Sequence, residues 1–532
     1  MNTEKYNPER VLRICYLLIT GVLIITRLPF YLYYPVTGIT FDSASYCAVA
    51  FDLMDLNIPS FEIRTPGYPV FLSLVWLFSK SFYAVSLLQS VFTLFTSLFF
   101  LRTVFRYYPS YIIYFTISLI IFISSSYFLL FETALLTEGL FVNLLLLNNA
   151  FLISALKKNT VSSWIIFSVS IAVTNLVRPA GLFLISLIVI LTFYFIIKKY
   201  NYRLFAALIL PATVLLLSLC LYNFVTLRSF TLTPFGEANL SGVTITFMEK
   251  SDEYPEIVNN AIDEVLKTVP KKDIPYVKNS FGVTKLYDVF LFNYDKVIEF
   301  VAAIKRQDSN MTYTDIQPLI RKVYLDAIKN HPDIYLKFVA VNFMQFFRNI
   351  GKDLNYFDAI TKSYGRIFLE RKYVNRLEKG GWQQVSSDET DYLKIRDLYI
   401  EEINKNIPGD NVTVTDTNKV VLKQTYAKSF NETYEKIYNL LFRNIIWLVL
   451  FAITFLLCVY RLLKSKLSDI DALIFFFMGV MFISKALMVS LVECSLERYS
   501  YTVEFVSYFS LPFLIILLKN PSKKLNLKTD TV

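Results

Sequence analysis

Uncharged apolar runs constrain the fold of this 532-residue chain more than any other feature. Residues 111–131 read YIIYFTISLIIFISSSYFLLF and residues 182–197 read LFLISLIVILTFYFII, with no Asp, Glu, Lys or Arg in either. A helix needs about 20 apolar residues to cross the hydrocarbon core of a bilayer. A membrane β-barrel would instead show alternating segments of about 10 residues, a pattern that the sequence does not show. The chain is therefore predicted to be an all-α polytopic membrane protein.

Ten membrane spans are predicted from these runs and their flanking residues. They cover 11–34, 82–101, 111–131, 138–156, 162–178, 181–197, 204–225, 443–460, 468–490 and 501–518. Lys and Arg gather at alternate span ends, for example Arg102, Lys157 and Lys464. The positive-inside rule places these ends in the cytoplasm. The N-terminus is then cytoplasmic and leads into an uncleaved first span, and a bacterial inner or plasma membrane is the expected location.

This topology divides the chain into three parts. We expect an N-terminal transmembrane catalytic module with an outer-face loop, an outer and mainly helical soluble region, and C-terminal transmembrane helices with a cytoplasmic tail. The catalytic module covers residues 1–225, and its outer-face loop covers 35–81. The outer soluble region covers 226–440, and the C-terminal helices and tail cover 441–532.

Two segments on the outer side carry helical signals. Residues 41–57, FDSASYCAVAFDLMDLN, alternate apolar and polar positions at helical spacing, which predicts amphipathic helices lying on the outer surface. The apolar stretch IYLKFVAVNFMQFF, within about 334–350, is too short for a span and predicts an interfacial or re-entrant helix.

The net charge of +10 does not indicate a nucleic-acid partner. Region 226–440 is neutral, with 29 basic and 29 acidic residues, and the other 24 basic residues outnumber 14 acidic ones mainly at span ends. The five cysteines show no metal-binding spacing. Cys47 and Cys494 are both predicted on the outer side, which permits a disulfide between them.

Two acids near the outer span ends are candidate catalytic groups. Asp42, in TFDSASY, has two compatible interpretations: an N-cap of the following helix or a general base in a cleft between helices. Glu138 begins the fourth predicted span, where it could favour the helix dipole or act chemically, since acids in the membrane are expensive and usually functional. Glu132, six residues earlier, competes with Glu138 for that role.

Several cations have a similar pair of interpretations. Glu62 and Arg64 flank the rigid turn in FEIRTPGYP, where Arg64 either forms an exposed ion pair or grips a phosphate with its planar guanidinium. Arg178, in RPAG, is expected to have an anionic partner, either a carboxylate or a ligand phosphate. Lys485, inside the ninth predicted span, also needs a partner. Arg27, near the outer end of the first span, is expected to snorkel to the interface.

The motifs occur in a recognisable order. Asp42 and Tyr46 follow the first span, and PGYP with Tyr68, TE with Glu138, RPAG with Arg178 and ERY with Arg498 come after them. Together they resemble the GT-C integral membrane glycosyltransferases, in particular the relatives of protein O-mannosyltransferases and lipid A aminoarabinose transferases. No P-loop, dinucleotide fingerprint or Ser-His-Asp set accompanies them, which favours an already activated substrate.

The resemblance implies a function and a set of roles. A sugar would move with inversion from a polyprenyl-phosphate donor to a lipid, glycan or protein acceptor at the outer membrane face. Asp42 would be the acceptor-activating base and Glu138 a second acid. The donor phosphate would bind to Arg64, Arg498 and Arg178, while Glu62, Tyr46 and Tyr68 would position donor or acceptor. Some relatives use a divalent metal ion, but no His ligand supports one here.

Other functions fit parts of the same pattern. A transporter or flippase would also place charges such as Lys485 and Arg178 inside helices, although inverted repeats with broken helices are not evident. A polysaccharide polymerase or ligase would share the lipid-linked donor. A non-catalytic scaffold explains the outer acidic and basic residues poorly.

Overall fold

The fold is given by a computed structural model that describes residues 7–33, 37–39, 41–234, 236–268, 296–297, 299–350, 397–399, 401–402, 405, 433, 436, 445–493 and 497–519. The named helices, in chain order, are α1 (Pro8–Tyr33), α2 (Phe41–Met54), α3 (Gly67–Trp76), α4 (Phe82–Tyr107), α5 (Ile112–Ile123), α6 (Ser126–Glu132), α7 (Thr137–Lys158), α8 (Val161–Val177), α9 (Phe183–Ile197), α10 (Tyr202–Leu227), α11 (Gly236–Thr244), α12 (Glu256–Thr268), α13 (Tyr313–Asn330), α14 (Pro332–Arg348), α15 (Ile446–Lys464), α16 (Ile470–Val492), α17 (Glu497–Ser500) and α18 (Phe505–Lys519). Over these ranges no β-strand occurs, and Gly38 and Ala134 form an isolated parallel bridge.

The prediction of an all-α, multi-pass membrane protein is confirmed. Within the described ranges, eight helices are long and apolar enough to cross a membrane. They are Pro8–Leu28, Phe82–Tyr107, Thr137–Lys158, Pro179–Ile197, Tyr202–Leu227, Ile446–Lys464, Ile470–Val492 and Arg498–Lys519. The other two predicted spans coincide with shorter apolar helices, Pro109–Ile123 and Val161–Val177.

The third predicted span, 111–131, is not one continuous helix. Helix α5 ends at Ile123, and α6 begins at Ser126. The Ser125 side chain accepts a hydrogen bond from the backbone N–H of Phe128 and so caps α6. Serine hydroxyls compete with the helical hydrogen-bond pattern of the backbone, so the SSS cluster breaks a run that apolar composition alone assigns to a single span.

Helix α2 differs from the prediction in its surroundings. The helix forms, but it does not lie on the surface: Ser43, Tyr46, Cys47 and Ala50 are buried. Its neighbour along the chain, α3, packs against it, and the α2 ring of Phe51 stacks on Trp76 of α3 at 5.2 Å. Cys47 is fully buried, whereas Cys494, its predicted disulfide partner, lies outside the described residues.

The insertion between α10 and α15 has a core of its own. Apolar residues of α12 and α13 and of the helical stretch 299–307 are buried together, including Ile262, Ile304 and Ile320. Helix α14 then packs on α16: the Tyr335 hydroxyl donates to the Leu491 carbonyl at 2.7 Å, and the Asn342 amide donates to the Glu493 carbonyl at 3.1 Å. The predicted helix near 334–350 is therefore present as Pro332–Arg348.

Polar groups mark the two ends of the helical bundle. At one end, Asp471 pairs with Lys157 at 2.6 Å and accepts from the Tyr108 hydroxyl at 2.9 Å. Arg461 pairs with Asp469 nearby in the chain. Because α7 runs from Thr137 to Lys158, Glu138 lies at the opposite end, where α2 also begins. The candidate functional residues therefore meet away from the basic span ends.

Candidate active site

Asp42 is the second residue of α2, so it lies one position inside the helix rather than at its N-cap. Its Oδ1 is 2.7 Å from Nη2 of Arg64, and its Oδ2 is 3.2 Å from Nη2 of Arg498. Burial alone would raise the pKa of Asp42, but the two guanidinium groups outweigh that effect and hold the pKa well below its ordinary value. The carboxylate therefore joins two cations that are far apart in sequence.

Arg64 is fixed by one face of α2. Its Nε donates to Ser45 Oγ at 2.7 Å and its Nη1 to the Tyr46 hydroxyl at 3.2 Å. Its guanidinium carbon also lies 4.4 Å from the centre of the Tyr46 ring. Asp42, Ser45 and Tyr46 are spaced i, i+3 and i+4, which places them on the same side of a helix. The sequence analysis identified Asp42 and Tyr46 but missed Ser45, which the same spacing could have found.

Glu138 occupies the first turn of α7 and is fully buried. Its Oε1 lies 2.7 Å from Nη1 of Arg178 and 3.0 Å from Nη2 of Arg498. The Thr137 hydroxyl contacts its Oε2 at 3.2 Å. Arg498 thus bridges the two predicted catalytic acids through a single nitrogen atom.

Arg178 reaches the site because α8 ends at Val177 and Pro179 begins a short 3-10 turn. The Arg178 backbone is extended, with φ −151° and ψ 123°, the region that a following proline favours. Its guanidinium lies 5.8 Å from the Phe141 ring and 5.7 Å from the Tyr499 ring. The anionic partner expected from the sequence is Glu138.

The five residues form one connected ion-pair network. Its order is Arg64, Asp42, Arg498, Glu138 and Arg178. Three guanidinium groups face two carboxylates, so the network carries one excess positive charge. It also has an accessible half and a closed half: the Asp42 side chain is 26% exposed and that of Arg498 30%, whereas Glu138 is 0% exposed. A ligand would therefore meet Arg64, Asp42 and Arg498 first.

Glu132, the predicted rival of Glu138, belongs to a separate pair. Its carboxylate accepts from Nε of Arg27 at 3.2 Å and from Nη2 at 2.7 Å. Both side chains are buried, and Ser90 donates a further hydrogen bond to Glu132. Arg27 therefore does not snorkel to the interface as expected, because a bidentate partner is available inside the bundle.

Glu62 and Tyr68 stand apart from the ion-pair network. Burial raises the pKa of Glu62 to about 7, and Lys305 of the insertion between α10 and α15 partly offsets the effect. Arg64 forms an ion pair with Asp42, on α2. The Tyr68 ring meets the Tyr46 ring edge-on at 5.1 Å, and its hydroxyl donates to Gln89 at 3.4 Å. Tyr68 thus packs against the Tyr46 ring.

Two further ionisable residues line the closed half. The Lys485 ammonium donates to the Ala180 carbonyl at 3.3 Å and lies 5.3 to 5.9 Å from the centres of the Phe141, Phe183 and Tyr499 rings. Glu493 accepts a hydrogen bond from the Tyr499 hydroxyl, and burial raises its pKa. The sequence analysis singled out Lys485 but not Glu493, whose position just after α16 gave no signal.

The donor set of this site does not fit a divalent cation. Guanidinium groups contact both oxygens of Asp42 and Oε1 of Glu138, and the Thr137 hydroxyl contacts Oε2 of Glu138, so these groups compete with a metal for the oxygens that it would need. Over the described ranges, no group of three or more His, Cys, Asp or Glu side chains is arranged to hold a metal ion. The chemistry of the site is therefore derived from its arginines and carboxylates.

Comparison with known proteins found no match, either among protein-family models or among curated proteins.

Proposed function

We propose that the protein is a GT-C-type glycosyltransferase that moves a sugar from a polyprenyl-phosphate donor to an acceptor at the outer membrane face. The observation that carries this proposal is the network itself. Asp42, Arg64, Glu138, Arg178 and Arg498 come from five separate places in the sequence, and each forms an ion pair with at least one of the others.

Charge favours a phosphodiester ligand. A sugar joined to a lipid through one phosphate carries a single negative charge, which matches the single excess positive charge of the network. When the bond between the sugar and the phosphate oxygen breaks, the departing lipid phosphate gains a second negative charge. Guanidinium groups already aimed at that position stabilise charge that develops in the transition state.

Access favours the exposed half of the network as the phosphate site. Arg64 and Arg498 both contact Asp42 there, and guanidinium binds phosphate through paired N–H donors as it binds carboxylate. A phosphate that attracts these two arginines weakens their hold on Asp42. The pKa of Asp42 then rises toward its ordinary value, so the carboxylate becomes a better base when donor is bound.

The proposed reaction uses these groups as follows. An acceptor hydroxyl oxygen attacks the anomeric carbon while the bond from that carbon to the phosphate oxygen breaks, and its electron pair leaves with the lipid phosphate. The hydroxyl proton passes to the Asp42 carboxylate. Glu138, which is closed off from solvent, holds Arg178 and Arg498 in place. The polyprenyl tail stays in the bilayer between the helices.

The direct test is turnover of defined donors by the purified protein in nanodiscs. A panel of polyprenyl-phosphate sugars is supplied with extracts containing lipid, glycan and protein acceptors, and release of polyprenyl phosphate is measured. Asp42→Asn keeps the shape of the side chain but removes its basicity, so transfer should fall at least about 100-fold. Asp52→Asn, on the same helix but outside the network, should remain within about twofold of wild type.

Two results would contradict the proposal. One is an Asp42→Asn protein that transfers sugar at the wild-type rate. The other is a wild-type protein that cleaves no donor in the panel but moves the intact lipid between leaflets, which would indicate a flippase.

A further inference from the structure

The two predicted catalytic acids are related by the isolated bridge between Gly38 and Ala134. The Gly38 N–H donates to the Thr133 carbonyl at 3.2 Å, and the Leu135 N–H donates to the Gly38 carbonyl at 2.7 Å. The bridge is parallel, so both segments run in the same direction. Asp42 follows Gly38 by four residues, and Glu138 follows Ala134 by four residues. Their carboxylates then meet at the same nitrogen of Arg498.

Gln89, on α4, holds one side of this bridge. Its side chain is fully buried. Its Nε2 donates to the Glu132 carbonyl at 2.7 Å and to the Ala134 carbonyl at 3.0 Å, and its Oε1 accepts from the Tyr68 hydroxyl at 3.4 Å. Both N–H donors of one amide therefore bind the segment that leads to Glu138.

Serine hydroxyls connect the two segments further. Ser86, one helical turn before Gln89, donates to the Thr133 carbonyl and contacts the Thr37 hydroxyl, both at 2.9 Å. Ser43, next to Asp42, donates to the Leu135 carbonyl at 2.8 Å. The carbonyls of Thr133, Ala134 and Leu135 thus each accept a side-chain hydrogen bond, one from the α2 side and two from α4.

We propose that Gln89 is a positioning residue that sets the separation of Asp42 and Glu138 through this bridge. Its consequence for catalysis rests on the function proposed above. Gln89 touches neither acid, but it fixes the segment that carries one of them against the segment that carries the other. A misplacement of about 1 Å at a reacting group can lower a rate on the order of 100-fold, so a residue with this role affects turnover.

The same geometry predicts which kinetic constant changes. Arg64 is held by Asp42, Ser45 and Tyr46, which all belong to α2, so its grip on a donor phosphate depends little on the segment before α7. Arg498 is held in part by Glu138, so loss of Gln89 should lower kcat more strongly than it raises the KM for donor. A merely structural residue would lower the amount of folded protein without separating the two constants.

The test compares Gln89→Leu with Gln317→Leu. Gln317 is also buried and also donates to a backbone carbonyl, that of Pro234, but it lies in the insertion between α10 and α15. Turnover is measured against donor concentration, and hydrogen–deuterium exchange is followed in peptides covering 37–43 and 132–138. Gln89→Leu should lower kcat about 10- to 100-fold with KM within about threefold, and it should speed exchange in both peptides. Gln317→Leu should change neither.

Exchange does not depend on activity, so it separates the two proposals. Unchanged exchange in both peptides overturns the positioning role, as does faster exchange with an unchanged kcat. If wild type turns over no donor, the proposed function fails, while exchange alone decides whether Gln89 holds the bridge. Should Gln89→Leu not fold, Ser86→Ala removes a single hydrogen bond to the same segment, and kcat should fall about 3- to 10-fold.

Discussion

Two arginine–carboxylate pairs with the same closest distance have different surroundings. Arg27 and Glu132 approach to 2.7 Å with side chains 4% and 0% exposed. Arg64 and Asp42 also approach to 2.7 Å, but their side chains are 19% and 26% exposed. Burial without access indicates a stabilising role for the first pair, whereas partial access allows a ligand to compete within the second.

Breaking the buried pair should destabilise the fold. Arg27→Met leaves the Glu132 carboxylate buried without its bidentate partner, and removing one member of a buried pair typically costs about 3–5 kcal/mol. Arg102→Met removes an exposed pair with Glu9, whose side chains are 53% and 55% exposed, and should cost under about 1 kcal/mol. Thermal unfolding in detergent measures both. Equal effects of the two substitutions would show that burial does not distinguish these pairs.

Arg64→Lys tests the accessible pair by keeping the charge and changing the donor geometry. An ammonium group cannot reproduce the separate contacts of Nε, Nη1 and Nη2 with Ser45, Tyr46 and Asp42. We expect the KM for donor to rise roughly 10-fold with the protein still folded. The control is Arg306→Lys, an exposed residue paired with Glu264 in the insertion. An unchanged donor dependence would remove Arg64 from the phosphate site.

Glu62 predicts a pH dependence of stability. Its folded-state pKa of about 7 exceeds the ordinary value of 4.5 because of burial, so the folded protein holds this proton more tightly than the unfolded chain. Stability should therefore fall as pH rises from 4.5 to 7. Glu62→Gln has no carboxyl group to ionise, so the variant does not lose stability in this way. Between pH 5 and pH 8 the free energy of unfolding of the variant, relative to wild type, should therefore increase on the order of 1–2 kcal/mol, a figure reduced because the side chain is partly exposed. Parallel unfolding curves across this range would contradict the assignment.

At the scale of elements, α3 depends on a close approach to the end of α8. A Cβ atom on Gly67 would lie 2.6 Å from the Val177 nitrogen and 2.7 Å from the carbonyl carbon of Leu176. Both are backbone atoms, so a side chain there forces the helices apart. This contact fixes the PGYP turn beside the site, because Arg64 precedes Gly67 by only three residues.

Gly67→Ala should therefore destabilise the protein by about 1–3 kcal/mol through overpacking. Gly21→Ala provides the matched control, because a Cβ on Gly21 in α1 would meet nothing within 4 Å, and alanine is the better helix former. The changes in unfolding midpoint relative to wild type should differ in sign, or strongly in size, between the two variants. A Gly67→Ala protein as stable as wild type would show that α3 can move away from α8.

The helices also show which features of the fold local sequence patterns can predict. Apolar runs located the long helices because the bilayer fixes their length. They did not show that the serine cluster near Ser125 divides a span, nor that α2 is buried, since burial of α2 depends on α3 and on distant helices. Local alternation of polar and apolar residues cannot distinguish a surface helix from one whose polar side chains bind buried partners, as Ser43 does with the Leu135 carbonyl.

For the whole molecule, the sequence predicted residue types better than partners. Asp42, Glu138, Arg64, Arg178 and Arg498 were all singled out, and the structure brings them together. Arg64 pairs with Asp42, and Glu132 pairs with Arg27. Both contacts join separate parts of the chain. Such pairings depend on how helices pack, which no local pattern contains.

The predicted orientation can be tested with single cysteines in a background without native ones. Lys250 and Arg102 are both exposed, with side chains 54% and 53% accessible, and they are predicted on opposite sides of the membrane. Lys250→Cys should react with an impermeant thiol reagent in intact spheroplasts, and Arg102→Cys only after permeabilisation. The reverse pattern would place the candidate site on the cytoplasmic side.

The central claim is that a lipid phosphate binds among the arginines of the accessible half. The most direct measurement is a cryo-EM map of the protein in nanodiscs containing polyprenyl phosphate, compared with a map without it. We expect phosphate density in contact with Arg64 and Arg498, with Asp42 released from at least one of them and Glu138 still bound to Arg178. A map with saturating lipid that shows the five-residue network intact, and phosphate density elsewhere or nowhere, would contradict the account.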